Sequence, residues 1–270
     1  MEEYTAFNRQ KACRYGQMVY NVNDMYVGRS LDLYGEFSEG EVDLFRQIVQ
    51  PGHVVIEVGA NLGAHTVFFA KTVGRKGAVL AFEPQRIVFQ TLCANMALNN
   101  IPNAMCFLQA VGSQHGSVLV PGLDYTRENN FGALGLGQYD KGEPVAVVPL
   151  DNFALKRCDF IKIDVEGMEE DVIRGAAGII GRFNPIMYVE NDRPEKSDSL
   201  IRYINSIGYS MFWHRPLLFN PNNFLGHQEN VFGTIVSINM ICLPPGSNPE
   251  MRGFEPVQVP AADPAPPASE

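Results

Sequence analysis

Two apolar runs that each end in a carboxylate, with a glycine turn and one helical pattern between them, constrain this chain most. Val54-Val55-Ile56-Glu57-Val58 leads into Gly59-Ala60-Asn61-Leu62-Gly63, and Ala78-Val79-Leu80-Ala81-Phe82 leads into Glu83-Pro84. Strand, tight turn, helix, strand is a βαβ unit, and such a unit cradles a nucleoside: the turn lets backbone approach the ligand, and the second carboxylate can hold two ribose hydroxyls. The alternation continues. Strands are expected at 54–57, 79–82, 105–108, 160–163 and 186–189, with helices at 64–73, 87–98, 169–175 and 194–207. This predicts an α/β fold, a Rossmann-like and mostly parallel sheet with helices on both faces. Residues 209–212 and 234–241 read as the last strands. Only the loop 216–233 joins them, and a loop without a helix does not make a parallel crossover, so the final strand is predicted antiparallel.

Around this core, residues 1–50 read as an extension that packs on it. Residues 15–27 suggest a hairpin turning near Asn23-Asp24, and Ser38-Glu39-Gly40-Glu41 reads as a capping box before a helix with Val42, Leu44, Phe45, Ile48 and Val49 on one face. The segment 112–143 reads as loops with a short strand at 118–120, and 145–148 as a further strand. Residues 51–244 form the expected ligand-binding domain. Residues 245–270, rich in Pro and Ala, are expected to be a tail without structure.

Composition excludes several partners. The 270 residues carry a net charge of -9, which does not suit a sequence-independent grip on nucleic acid. No apolar run reaches the length of a membrane span, and the first residues show no secretory pattern. The cysteines, Cys13, Cys93, Cys106, Cys158 and Cys242, are scattered and odd in number, which suits small hydrophobes in a reducing cytoplasm better than zinc or disulfides.

The turn itself discriminates between nucleoside ligands. A pyrophosphate site wants G-x-G-x-x-G, but Asn61 and Ala64 stand where its second and third glycines belong. That counts against the alternative of a nucleotide-dependent oxidoreductase. A strand-end acid, Glu57, below the turn suits a ligand with a cationic amino-acid portion, as S-adenosylmethionine has. Glu83 lies where a ribose-binding carboxylate belongs.

The motifs Ile56-Glu57-Val58-Gly59-Ala60-Asn61-Leu62-Gly63, Phe82-Glu83-Pro84, Ala110-Val111-Gly112 and Ile163-Asp164-Val165-Glu166-Gly167-Met168-Glu169 resemble those of FkbM-type methyltransferases. So does the lead-in Tyr34-Gly35-Glu36-Phe37-Ser38, and the resemblance spans roughly 15–243. It implies a class I methyltransferase fold, S-adenosylmethionine as cofactor, and methyl transfer to an oxygen of a sugar, glycan or other small natural product. Glu57 stands where the family often has aspartate. Cofactor contacts are then expected from Glu57, Gly59, Ala60, Asn61, Gly63, His65, Thr66, Glu83, Pro84, Ala110 and Asp164, with Glu36 closing over the ligand. A cofactor-binding domain without activity is the competing class.

A hydroxyl needs help to lose its proton, so acids and histidines near the crevice are the catalytic candidates. The ends of the fourth and fifth core strands carry Asp164, Glu166, Glu190, Asn191 and Asp192. Asp164 can position the cofactor or the acceptor hydroxyl. Alternatively Asp164, Glu190 and Asn191 hold a Mg²⁺-like ion, an arrangement similar to catechol-type and macrolide-sugar O-methyltransferases. Glu169, Glu170 and Asp192 read more simply as acids at helix N-termini. His214 is the expected base, since it leads into a loop, 220–230, whose amides and aromatics suit a carbohydrate. His65 neighbours either the cofactor or the helix core. His53 and His115 read as exposed turn residues.

Overall fold

The computed structural model describes residues 5–137, 139–247 and 251–261. The chain begins with an antiparallel hairpin, β1 (Asn8–Cys13) and β2 (Gly16–Asn21). Its turn is therefore at Arg14-Tyr15 and not at Asn23-Asp24. Asp24 makes an Asx turn instead, accepting the Tyr26 N–H at 3.0 Å, and so starts a helix the sequence did not announce, α1 (Val27–Tyr34). Helix α2 (Glu39–Ile48) follows as expected. The capping box does not form: Ser38 has φ 47 and no side-chain cap bond, and Glu41 turns towards a cavity.

The core then alternates as its pattern requires: β3 (Val54–Val58), α3 (Ala64–Val73), β4 (Ala78–Phe82), α4 (Arg86–Leu98) and β5 (Ala104–Phe107). Short strands β6 (Ala110–Val111), β7 (Gly116–Val120) and β8 (Glu143–Val148) form a separate three-stranded sheet. The core resumes with β9 (Phe160–Ile163), α5 (Glu169–Arg174), α6 (Ala177–Phe183), β10 (Ile186–Glu190), α7 (Pro194–Ser206), β11 (Ser210–His214), β12 (Asn239–Leu243) and β13 (Glu255–Pro256). The main sheet runs in the order β13-β11-β12-β10-β9-β3-β4-β5. The strands β10, β9, β3, β4 and β5 are parallel to one another. This is the doubly wound α/β architecture that the alternation predicts.

The last core strand is antiparallel as expected, and β12 pairs with both β10 and β11. It is shorter than its apolar run, because residues 234–238 run past the end of β10 and keep one bridge, Leu217 to Val236. The expected structureless tail is corrected at one point. Glu255 and Pro256 pair with Trp213 and Phe212, and Val257 is buried, so the exposed edge of β11 recruits the chain there. Residues 262–270 lie outside the described residues.

Alternation along the strands sorts side chains between two cores. Val55, Phe160 and Tyr188 pack with Phe45 and Phe69 on one face, while Ile56, Val58, Ile161, Ile163 and Val189 pack with α5 and α6 residues such as Val172 and Ile180 on the other. The hairpin and α1 contribute Met18, Tyr20 and Leu31 to the first core. Parallel register brings the strand ends level, with Val58 opposite both Phe82 and Ile163. The carboxylates that follow those residues therefore collect at one sheet edge. No described helix is long and apolar enough to cross a membrane.

Candidate active site

A cavity of about 480 Å³ lies at that edge, within the size range of small-ligand sites. The glycine turn forms its floor. The N–H groups of Gly59 and Ala60 both donate to the Phe82 carbonyl, at 3.0 and 2.9 Å, and fold the turn over β4. A Cβ at Gly59 (φ 81) would stand 1.7 Å from the Asp164 carbonyl oxygen, so only glycine lets these two strand ends touch. Asn61 itself adopts φ 51.

Glu83 is 4 % exposed and accepts two backbone N–H groups, Asn61 at 3.0 Å and Gln85 at 2.8 Å. Burial pushes its carboxyl up to about 7 against the pull of those two bonds. Each oxygen keeps a free lone pair for a ribose hydroxyl. Glu57 is also buried; it accepts the Thr66 hydroxyl at 2.6 Å and is pushed up to about 7, by burial first, with Lys162 pulling the other way.

Lys162 lines the cavity without having been expected there. It interrupts the apolar run Phe160-Ile161-Lys162-Ile163 and shares a strand face with Asp164. It is 3 % exposed, and its Nζ donates to Asp164 Oδ2 at 2.7 Å. Burial disfavours its charge, but Asp164, Glu41 and Glu57 outweigh that and hold Lys162 above the ordinary lysine range. Asp164 in turn is held below its ordinary value, because Lys162 outweighs its burial. A charged residue inside a buried parallel strand was the available signal.

Asp164, Glu166 and Glu190 each bring an oxygen within 4.8 Å of the others. Burial, and then Asp164, Glu166 and Asp192, raise Glu190 well above the usual carboxylate range. Burial, then Asp164 and Asp192, push Glu166 up to about 7. Glu166 sits at φ 58, and Arg193 ion-pairs with it. Backbone held in that region costs free energy and persists where surrounding contacts fix it.

The buried polar atoms His65 Nε2, Gln85 Oε1, Gln109 Oε1, Glu190 Oε2 and Asp192 Oδ1 have no hydrogen-bond partner, and all five residues line the cavity. An orphan of this kind costs about 1–3 kcal/mol. All are oxygen or nitrogen acceptors, so the cavity awaits a ligand that brings donors. The residues fit S-adenosylmethionine: Glu83 would hold its ribose, Gln85 and Gln109 its adenine side, and the Gly59 turn with Glu57 its amino-acid portion.

Of the expected cofactor residues, Glu57, Gly59, Ala60, Asn61, His65, Glu83, Pro84, Ala110 and Asp164 line the cavity. Gly63 and Thr66 stand behind it; Gly63 opens α3 at φ 91, and Thr66 steadies Glu57. Glu36 is not at the cavity. It is a clasp that accepts Arg14 Nε at 2.6 Å, Asn220 Nδ2 at 2.8 Å and the Phe224 N–H at 2.8 Å. His214 also lies off the cavity. Its Nδ1 meets the Tyr188 hydroxyl at 2.8 Å and its ring packs on Phe254. Of the expected catalytic residues, Asp164 and Glu190 therefore line the cavity and His214 does not.

The expected Mg²⁺ arrangement forms only in part: Asp164 and Glu190 converge, with Glu166 beside them, but Asn191 does not join them. The Asn191 side chain points into the protein at Met240 Sδ, 3.4 Å away, while Lys162 and Arg193 already neutralise Asp164 and Glu166. A hard divalent ion wants free oxygens, and this donor set does not fit one. In the loop after β11 the amides serve the loop: Asn223 binds both N–H and carbonyl of His227, and Asn220 holds Asn222 N–H and Glu36. Glu41 faces the cavity unannounced, accepting Asn239 Nδ2 at 3.2 Å.

Comparison with known proteins gives the family. The family model described as the methyltransferase FkbM domain matches residues 57–211. Methyltransferase 1 of Beauveria bassiana (strain ARSEF 2860) is 27% identical over 144 residues, 45% of this chain and 57% of that protein. The chain thus matches little more than half the length of this relative. Among solved structures, methyltransferase FkbM from Methylobacillus flagellatus KT aligns at a TM-score of 0.47 and 16% identity, over 74% of this chain and 50% of that one. The O-methyltransferase TomG from Streptomyces achromogenes, solved with S-adenosylmethionine, aligns at 0.44 and 10% identity, over 77% and 78%. The family model ends within β11 and takes in the glycine turn, Glu83, the Lys162–Asp164 pair and Glu190; this chain belongs to the FkbM methyltransferase family.

Proposed function

We propose that the chain transfers the methyl group of S-adenosylmethionine to a hydroxyl oxygen of a small molecule or glycan. The observation that carries this reading is the carboxyl pair Asp164–Glu190 at the cavity. Lys162 keeps Asp164 ionised, and burial raises Glu190 towards the range where a carboxylate accepts a hydroxyl proton efficiently. S-adenosylmethionine supplies a methyl group on a positive sulfonium. The acceptor oxygen attacks the methyl carbon, the carbon–sulfur bond breaks with its electron pair going to sulfur, and the hydroxyl proton passes to the carboxyl pair. The positive charge disappears from sulfur in that step, so the protein's work is alignment, exclusion of water and proton removal.

The experiment supplies cofactor labelled with deuterium in the methyl group to a panel of sugars and small alcohols. Mass spectrometry of the products should place the label on oxygen. Glu190→Gln should lower kcat by roughly 10²–10⁴-fold, the usual worth of a positioned base, with S-adenosylhomocysteine affinity within about twofold of wild type. Undiminished turnover would remove Glu190 from proton transfer.

A further inference from the structure

The cavity divides along the sheet. Over β3, β4 and β5 lie Gly59, Glu83, Gln85 and Gln109, the half that suits a nucleoside. Over β9, β10 and β12 lie Lys162, Asp164, Glu190, Asp192 and Asn239, the half left for the acceptor.

That second half is uneven in charge. Its cations are both committed. Lys162 Nζ is 2.7 Å from Asp164 Oδ2; Arg193 pairs with Glu166 and lies 3.5 Å from Asp192 Oδ1. No other lysine or arginine is among the described residues that line the cavity. Glu190 Oε2 and Asp192 Oδ1 are buried without a hydrogen bond. An independent observation points the same way from another element. His65, on α3, is 5 % exposed, lines the cavity and has no partner at Nε2. Burial pushes the ring down to about 3, so it is neutral and offers a lone pair. The acceptor half therefore lacks donors from the ligand and has no cation to spare for an anion. A phosphate or carboxylate entering it would meet like charge at close range in a poorly solvated space, which is costly.

We propose that this half selects by charge: its acceptor is an amine-bearing polyol, whose ammonium is held by Glu190 and Asp192 and whose hydroxyls reach His65, and phosphorylated or carboxylated acceptors are refused. The inference rests on the methyl-transfer reading above, and its test is one of binding, so the two fail separately.

The test is calorimetry on the full chain saturated with S-adenosylhomocysteine, at pH 7 and low salt. The probes are glucosamine, glucose and glucose 6-phosphate, which share a ring and differ in charge. Glucosamine should bind at least about tenfold more tightly than glucose, and glucose 6-phosphate should show no binding, as close charge contacts in a buried site predict. Asp192→Asn and Glu190→Gln should each narrow the glucosamine–glucose gap to about threefold or less. Glu143→Gln, on the surface beside Arg86, should leave it unchanged. The proposal falls if glucose 6-phosphate binds as tightly as glucosamine, if no probe binds, or if both cavity variants keep the full gap. A labelled methyl group found on nitrogen would instead defeat the hydroxyl reading and leave charge selection standing.

Discussion

At the scale of single residues, the site depends on two strand ends in contact, and Gly59 is where that contact is made. A methyl group there would overlap the Asp164 carbonyl at 1.7 Å, and backbone cannot step aside as a flexible side chain can. Gly52 provides the control. It has a similar φ of 85 but nothing within 4 Å of a built Cβ. Gly52→Ala should cost only the strain of the left-handed region, roughly 1–2 kcal/mol. Gly59→Ala should cost roughly 4 kcal/mol or more, in the range of a core defect, with S-adenosylhomocysteine binding lost. Urea denaturation measures both, and equal losses would show that the turn has slack. The strand-end acids Glu57, Glu83, Asp164 and Glu190 were legible because a carboxylate closing an apolar run has few other readings. Lys162 and Glu41 were not: one is hidden inside a strand, and the other resembled half of a capping box. His214 lies off the cavity for a topological reason. Chain order does not reveal that β12 inserts between β10 and β11, which moves the end of β11 outward.

At the scale of elements, the end of α1 grips the loop between β11 and β12. Glu36 accepts three donors from Arg14, Asn220 and Phe224. The Tyr34 hydroxyl donates to the Glu229 carbonyl at 2.8 Å and accepts the Val231 N–H at 2.9 Å. Leu218 and Val236, from the two ends of this connection, line the cavity. The clasp therefore sets one wall of the site without touching the nucleoside half. Glu36→Ala should speed amide exchange across 220–231 by at least about tenfold, since a buried carboxylate with charged and amide donors is worth roughly 1.5–3 kcal/mol per charge-assisted bond. Affinity for S-adenosylhomocysteine should stay within about twofold. A large loss of cofactor affinity with unchanged exchange would return Glu36 to the cofactor site. The main helices and strands were legible from their periodicity. The clasp was not, because its partners lie far apart in the chain and no local pattern joins them.

For the whole molecule, burying so many acids around one cavity ties stability to pH. Glu57, Glu83 and Glu166 are each pushed to about 7 from an ordinary 4.5, and burial raises Glu190 as well. Between pH 4.5 and 7 the folded chain keeps protons on these groups that the unfolded chain releases, so their effect is to make stability fall as pH rises. His65 acts in the opposite direction. Its value drops from 6.5 to about 3, so below pH 6.5 the unfolded chain takes a proton that the fold refuses, and stability falls with acid. His214, lowered by burial, adds to that side. The acids outnumber the histidines and sit in the same window. Surface acids with lowered values, such as Asp32 and Glu170, change stability only at lower pH. The melting temperature without ligand should therefore rise by several degrees from pH 7.5 to 5.5, at roughly 2–4 °C per kcal/mol for a chain of this size. Glu83→Gln, which stays neutral at every pH, should flatten that slope, because one of the proton-holding groups is gone. Scanning calorimetry across the range gives the answer. A melting temperature that climbs towards pH 7.5 would mean that the cavity acids are ionised in the fold.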